Sequence, residues 1–290
     1  MNRRRFLSVS AAFAALPLAA EAAPHRWRGH ALGAEAEIVL HGARDAAEAA
    51  LGEVERILQK VEGTFSLFDP ASELTRLNAR GSALASEQFL EVLHLSGRLH
   101  GATGGLFDPT VQAVWRAKFE GRNVARATIG WDRVQVSGRK VSLAKGQALT
   151  FNGIAQGYAT DLVAKSLKAR GFGEILVNIG EFSGHGRPWR IGISDPKHGH
   201  LGMRTLRDGA IATSSPTAMA LGDGGHILHP AGGAVQWSTV SVEATSAAIS
   251  DGLSTALCLA SASEIAAIRQ HLPEVRRITL VDAEGNLRTV

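Results

Sequence analysis

The chain has 290 residues, of which 45% are hydrophobic and 20% charged, with 31 Lys and Arg against 27 Asp and Glu. The resulting formal charge of +4 is no nucleic-acid footprint. A single cysteine, Cys258, rules out an internal disulfide, so stability has to come from packing.

The first element is a targeting segment. Met1–Ala22 has a charged start (Arg3, Arg4, Arg5), a moderately apolar run from Phe6 to Leu18, and an Ala20-Glu21-Ala22 cleavage site. Its apolar run is too short for a bilayer that takes about 20 residues to cross, and the order Arg-Arg-Arg-Phe-Leu is the one read by the twin-arginine route. The expectation is therefore residues 1–22 as a twin-arginine signal, a periplasmic mature chain of residues 23–290, and passage across the membrane already folded. No Cys follows the cleavage site, so no stable membrane anchor is expected after cleavage. Cleavage removes three Arg and Glu21 and leaves 28 basic and 26 acidic side chains, close to +2. The mature length allows a substantial core, with no repeat and no clear interdomain linker.

In chain order, a strand is expected around Ala36–Leu40. Over residues 44–62, Ala46, Ala50, Val54, Ile57, Leu58 and Val61 recur at helical spacing. A second helix fits Ser86–His100. A third fits Ala155–Arg170, with Gly171 as its stop. Strand patterns follow at Lys140–Leu143, Ile175–Ile179, Trp189–Ile193, Ile211–Thr213 and Thr239–Glu243, and the chain ends on a hairpin of Ile278–Val281 and Leu287–Val290. The mixture predicts an α+β fold. Four Gly-rich stretches carry more polar residues than turns need, at 103–110, 152–158, 178–186 and 209–230. These are the candidate site loops.

The most informative stretch is Ser250-Asp-Gly-Leu-Ser-Thr-Ala-Leu. On a helix, Asp251 and Thr255 lie one turn apart on one face, and their hard oxygens suit Mg²⁺. The same residues also fit a plain helix N-terminus with a packed threonine. In Thr103-Gly-Gly-Leu-Phe-Asp-Pro-Thr, the glycines allow close approach of a ligand, while Asp108 before Pro109 equally reads as a cap and turn. Phe151-Asn-Gly-Ile-Ala-Gln-Gly-Tyr runs into the third helix, so it is either an anion-facing helix start or a packing loop. Thr213, Ser214 and Ser215 offer hydroxyls, and His226 is a candidate base or a surface histidine. P-loop, nucleophile-elbow, zincin, C-x-x-C and dinucleotide fingerprints are all missing from the sequence.

Together these segments occur in an order that resembles one family along nearly the whole mature chain, the FAD:protein FMN transferases or ApbE family. The resemblance rests on Leu32-Gly-Ala, Phe65-Ser-Leu-Phe, Ser72-Glu-Leu-Thr-Arg-Leu-Asn, the segment from Thr103, Gly153-Ile-Ala-Gln-Gly-Tyr with Asp161, and Val177-Asn-Ile-Gly. It continues through Trp189-Arg-Ile-Gly-Ile-Ser-Asp-Pro, Ala212-Thr-Ser, His226-Ile-Leu-His-Pro and Ser250-Asp-Gly-Leu-Ser-Thr-Ala. It implies a mixed, largely antiparallel α+β fold and a Mg²⁺-dependent enzyme. That enzyme would move the FMN half of FAD onto a Thr or Ser hydroxyl of an exported or membrane flavoprotein in an electron-transfer system, releasing AMP. It further implies Asp251, Thr255 and the Gly153 carbonyl as metal ligands, and Leu32, Phe68, Leu106, Phe107, Asp108, Thr150, Gln156 and Ile227 as FAD contacts. His226, with Asp251 as the rival, is the candidate base. An FAD pyrophosphatase and a non-catalytic periplasmic FAD carrier are the alternatives. The chain departs from the family pattern at Leu32, Thr150, Gln156, His229 and Glu181-Phe182, where Gly-Asp is frequent. Its Asn-Gly-Ile-Ala-Gln-Gly form resembles the branch accompanying nitrous oxide reductase.

Overall fold

The computed structural model describes residues 24–124 and 127–290. The signal assigned to residues 1–22 lies outside them. In chain order come β1 (His25–Ala31), β2 (Ala34–Leu40), α1 (Arg44–Phe65), α2 (Glu73–Arg80), β3 (Ser82–Leu84), α3 (Glu87–Ala102) and α4 (Gln112–Phe119). Then follow β4 (Gln135–Ser137), β5 (Lys140–Ser142), α5 (Ala155–Ala169), β6 (Ile175–Ile179), β7 (Phe182–His185), β8 (Trp189–Asp195), β9 (Gly199–Leu206) and β10 (Gly209–Ser214). The last are β11 (Ala220–Leu221), β12 (Gly224–Gly225), β13 (Thr239–Ala244), α6 (Ala247–Leu257), α7 (Ala262–Gln270), β14 (Val275–Val281) and β15 (Leu287–Thr289).

Eight strands form one sheet in the order β1-β2-β6-β7-β10-β13-β14-β15, and every pairing in it is antiparallel. The fold is thus α+β, as the sequence pattern predicts. Side chains alternate across this sheet. Ile38, Leu40, Ile175, Val177, Val240 and Val242 face the helices and join the main core. Val39, Leu176 and Ile211 face the other way and are covered by Ile191, Ile193 and Leu206 of the β8–β9 hairpin. Each fully buried aliphatic side chain stabilises the fold by about 1.5–3 kcal/mol relative to exposure.

On α1 the buried stripe runs through Ala47, Ala50, Val54, Leu58 and Val61, so Ala47 takes the place expected for Ala46, which is exposed. Helices α5 and α6 lie side by side on the sheet, and glycine sets their distance. A Cβ on Gly157 would come within 2.3 Å of the Ala247 carbonyl oxygen, closer than any side chain tolerates. Each of these helices also supplies a carboxylate to the start of the other. Asp161 of α5 accepts from Ser246 Oγ (2.6 Å) and from the Ala247 (2.8 Å) and Ala248 (3.0 Å) amides at the start of α6. Asp251 of α6 accepts from the Gly157 amide in the first turn of α5 (3.0 Å). The first amides of a helix have no partner within it, so both carboxylates meet an existing need.

Three expectations change. The stretch 178–186, read as an irregular loop, is the end of β6, a tight turn at Gly180 (φ +87°) and Glu181, and the strand β7. Strand β10 likewise occupies the start of the 209–230 stretch. The expected helix at Ser250 begins earlier, at Ala247, because Ser246 caps it by accepting from the Ile249 amide.

Candidate functional site

The site is built where the N-terminus of α5, the helix α6 and the end of β10 meet. Asp251 and Thr255 sit one turn apart on α6, as the i,i+4 spacing requires. Gly153, two residues before α5, presses against Thr255: a Cβ there would lie 2.9 Å from Thr255 Oγ1. So the glycine is needed for the approach, and the three expected metal ligands gather around one helix face. Ser214, at the end of β10, lies 3.3 Å from Thr255 Oγ1 and 2.7 Å from Ser254 Oγ. Ser254 Oγ donates to the Asp251 carbonyl (3.0 Å). Thr255 therefore stands at the edge of a short hydroxyl chain linking β10 to α6.

Charge in this pocket is unbalanced. Asp251 is 3% exposed and takes a single hydrogen bond, from Gly157. Burial pushes its carboxyl up to about 7; the Gly157 amide pulls back, and the charge of Asp161 adds to the rise. Glu181, in the β6–β7 turn, is buried as well, and burial together with the charge of Asp251 holds it well above the usual carboxylate range. No Lys, Arg or His among the described residues forms an ion pair with Asp251 or Glu181. Uncompensated buried carboxylates are costly. A divalent cation coordinated by oxygen fits that need, and the hard donors of Asp251, Thr255 and Gly153 suit Mg²⁺.

His226 follows the β11–β12 hairpin. Its Nδ1 lies 3.0 Å from the Pro216 carbonyl oxygen, and its amide donates to the same oxygen (3.1 Å). Pro216 is two residues past Ser214, which ties the histidine to the hydroxyl chain at Thr255. Burial lowers its basicity, partly offset by the Pro216 and Met219 carbonyls, so the imidazole is neutral near pH 7.

Some of the expected FAD contacts are linked to one another. Leu32 and Gly33 form the two-residue turn between β1 and β2, both with positive φ (+51° and +79°), a conformation rare for a branched side chain. The turn is held by Glu62, which accepts from the Leu32 amide (2.8 Å), and by Gln156, whose Nε2 donates to the Leu32 carbonyl (3.4 Å). Gln156 also fills the space over Gly180, where a Cβ would come within 2.7 Å of its carboxamide. The Thr150 amide donates to the Pro109 carbonyl (2.9 Å), which joins the α5 loop to the 103–110 loop. Asp108 caps the turn at Pro109, accepting from the Thr110 amide (2.8 Å) and hydroxyl (2.6 Å). Phe107 and Ile227 are core residues, Phe107 lying beneath Gly252 next to Asp251. Leu106 is half-buried against the same core. Phe68 stands apart, 74% exposed on the loop after α1. A cavity of about 360 Å³ at Lys168, His185 and Asp208 belongs to the other end of α5, roughly 20 Å along the helix axis from these residues.

Solved structures with this architecture include a flavinyl transferase. The Pseudomonas stutzeri flavinyl transferase ApbE, in its apo form, superposes with a TM-score of 0.79 at 26% identity, covering 92% of this chain and 94% of its own. The apbe protein of Thermotoga maritima gives 0.81 at 22% identity, with 91% and 96% covered, and shows the shared fold. The model of the ApbE family matches residues 32–279, and the chain belongs to that family. A curated relative from Vibrio cholerae, named FAD:protein FMN transferase, is 29% identical over 238 residues, 71% of each chain. One of the same name from Rhodobacter capsulatus is 32% identical over 152 residues, 48% of this chain and 29% of its own length.

Sequence reasoning brought together Gly153, Asp251, Thr255 and His226 but gave Glu181 no role. Its signal was a carboxylate placed directly after the apolar run Ile175–Ile179 and Gly180.

Proposed function

We propose that this protein transfers the FMN half of FAD to a Thr or Ser hydroxyl of an exported or membrane flavoprotein and releases AMP, with Mg²⁺ held by Asp251, Thr255 and the Gly153 carbonyl. The observation that supports it best is the Asp251 carboxylate, buried without a counter-cation beside the Gly153–Thr255 contact, in a chain whose relatives are FAD:protein FMN transferases. A bound Mg²⁺ supplies charge neutralisation for a pyrophosphate.

The remaining work falls to the chain itself. The acceptor oxygen bonds to the FMN phosphorus, the bond from that phosphorus to the bridging oxygen breaks, and AMP leaves with the electron pair. The hydroxyl proton must go to a base. His226 is the candidate base, its basicity lowered by burial; Asp251 is the rival. The amides at the start of α5 favour an anion there. Leu32, Phe68, Leu106, Phe107, Asp108, Thr150, Gln156 and Ile227 are assigned to hold FAD, through the linked turns described above. The location belongs to the same proposal: a twin-arginine signal at residues 1–22 takes the enzyme to the periplasm, to an acceptor of an electron-transfer system.

The test incubates the protein with FAD, Mg²⁺ and a candidate acceptor domain, and reads covalent FMN on a Thr or Ser by mass spectrometry. Free FMN and AMP formed at a comparable rate without acceptor would mark a pyrophosphatase instead, and FAD that stays intact with Mg²⁺ would mark a carrier. For export, Arg3→Lys with Arg4→Lys is expected to leave the precursor in the cytoplasm, checked by cell fractionation; unchanged periplasmic accumulation would remove the twin-arginine assignment.

A further inference from the structure

Glu181 is hydrogen-bonded to β10 and α5, the two elements packed against α6 at the expected metal site. Its Oε2 accepts from the Thr213 amide (3.2 Å), and Thr213 directly precedes Ser214, the neighbour of Thr255. Its carbonyl accepts from Thr160 Oγ1 of α5 (3.2 Å). The preceding residue, Gly180, lies against Gln156 in the first turn of α5. Gln156 is followed directly by Gly157, whose amide donates to Asp251, and the charge of Asp251 adds to the rise that burial causes in the Glu181 carboxyl.

Neither carboxylate is saturated. Glu181 has 7% of its surface exposed and Asp251 3%, yet each accepts one backbone hydrogen bond. Oε1 of Glu181 and Oδ1 of Asp251 accept none from the described residues. A carboxylate offers about four acceptor positions across its two oxygens, so most of this capacity is unused in a place that water barely reaches. Two like charges in such surroundings repel each other unless a cation or a proton comes between them.

We infer that Glu181 is an additional carboxylate of the cation site, acting with Asp251 on the same divalent ion, directly or through one of its water ligands. This inference rests on the metal-dependent reading given above and adds to it a residue that the resemblance left without a role. An extra negative charge at the site strengthens cation binding and, without the cation, strains the apoprotein. Glu181 thus acts with opposite sign in the two states. A carboxylate kept only to anchor Thr213 would not.

The substitution Glu181→Gln separates these roles, because Gln retains an acceptor for the Thr213 amide and loses only the charge. The experiment titrates Mn²⁺ into the purified protein, with and without FAD, and follows free Mn²⁺ by electron paramagnetic resonance. Thermal unfolding is measured in EDTA and in Mg²⁺. Expected for Glu181→Gln are a Mn²⁺ affinity about 10-fold weaker, a midpoint in EDTA a few degrees higher than wild type, and a smaller upward shift on adding Mg²⁺. Glu181→Asp, which keeps the charge on a shorter arm, is expected to fall between them in affinity. An affinity for Glu181→Gln within twofold of wild type, with an unchanged Mg²⁺ shift, would overturn the inference. If wild type binds Mn²⁺ and transfers FMN in that case, the metal-dependent reading stands and only the role of Glu181 falls. A wild type that neither binds Mn²⁺ nor transfers FMN removes both.

Discussion

Asp195 and Asp251 have the same slight solvent exposure, 3% each, and the fold treats them in opposite ways. Asp195, at the end of β8, accepts from the Ser238 and Thr239 hydroxyls (both 2.6 Å) and from the Lys197 (2.7 Å) and His198 (2.9 Å) amides. Burial alone would push its carboxyl up, but those four donors more than offset it and hold it below the usual range. Asp251 has one donor and is pushed up to about 7. Low solvent exposure alone therefore does not fix the state of a carboxylate: Asp195 lies nearer the surface of the fold with four donors turned towards it, and Asp251 lies deeper with one. Asp195 is a finished joint between β8 and β13. Asp251 is left open, and what it lacks is positive charge.

The sharpest way to break this contrast is to neutralise each aspartate in turn. Asp251→Asn is expected to lower FMN transfer by at least about 100-fold while leaving the unfolding midpoint of the cation-free protein unchanged or raised, since a costly buried charge is gone. Transfer assays and denaturant unfolding on the same preparation check both halves. Asp195→Asn should do the reverse. It turns an amide group towards donors that have lost an acceptor, and is expected to cost about 2–3 kcal/mol in denaturant unfolding, with transfer retained in the folded fraction. If Asp195→Asn abolished transfer without loss of stability, the division between joint and site would be wrong.

A third position refines the contrast with the smallest effect. His185 lies at the far end of α5, 3.0 Å from Ser183 Oγ and facing Lys168, Asp208, Asp161 and Arg276. Burial, then Lys168, lowers its basicity, against the pull of Asp208 and Asp161. Its folded-state pKa thus lies below the unfolded one near 6.5, so the unfolded chain binds more protons as the pH falls, and stability is lost below about pH 6.5. His185→Gln should make unfolding between pH 7 and 5.5 less pH-dependent than in wild type, read from midpoints at matched ionic strength. A slope identical to wild type would place the titrating group elsewhere.

Periodic segments were legible in the sequence because one physical rule dominates each of them. Val54, Leu58 and Val61 repeat at helical spacing and are buried on α1; Ile175, Val177 and Ile179 alternate and face one side of β6. The Asp251 and Thr255 pair was legible because an i,i+4 separation needs only a helix to become a shared face. What escaped depends on pairings that a single segment does not encode. Strand β9, Gly-His-Leu-Gly-Met-Arg-Thr-Leu, has no apolar alternation and is a strand because β8 pairs with it. Helix α7 escaped for another reason: it is short, and its start is marked by a local reciprocal cap between Ser261 and Glu264 rather than by an apolar stripe. The exchange of carboxylates between α5 and α6, and the bond of Glu181 to Thr213, arise only once distant segments are packed together.

Cys258 ends α6 three residues after Thr255, and its Sγ lies 3.2 Å from the Ser254 carbonyl and 3.5 Å from that of Ser214. Burial pushes the thiol far above its ordinary range, and the unreactive protonated form is kept out of solvent. Alkylation of this one thiol therefore has to wait for α6 and β10 to part, so its rate counts how often the hydroxyl chain beside Thr255 comes undone. The molecule carries its own clock for the opening of the site, and a ligand that braces α6 against β10 would be seen as a slowing of that clock.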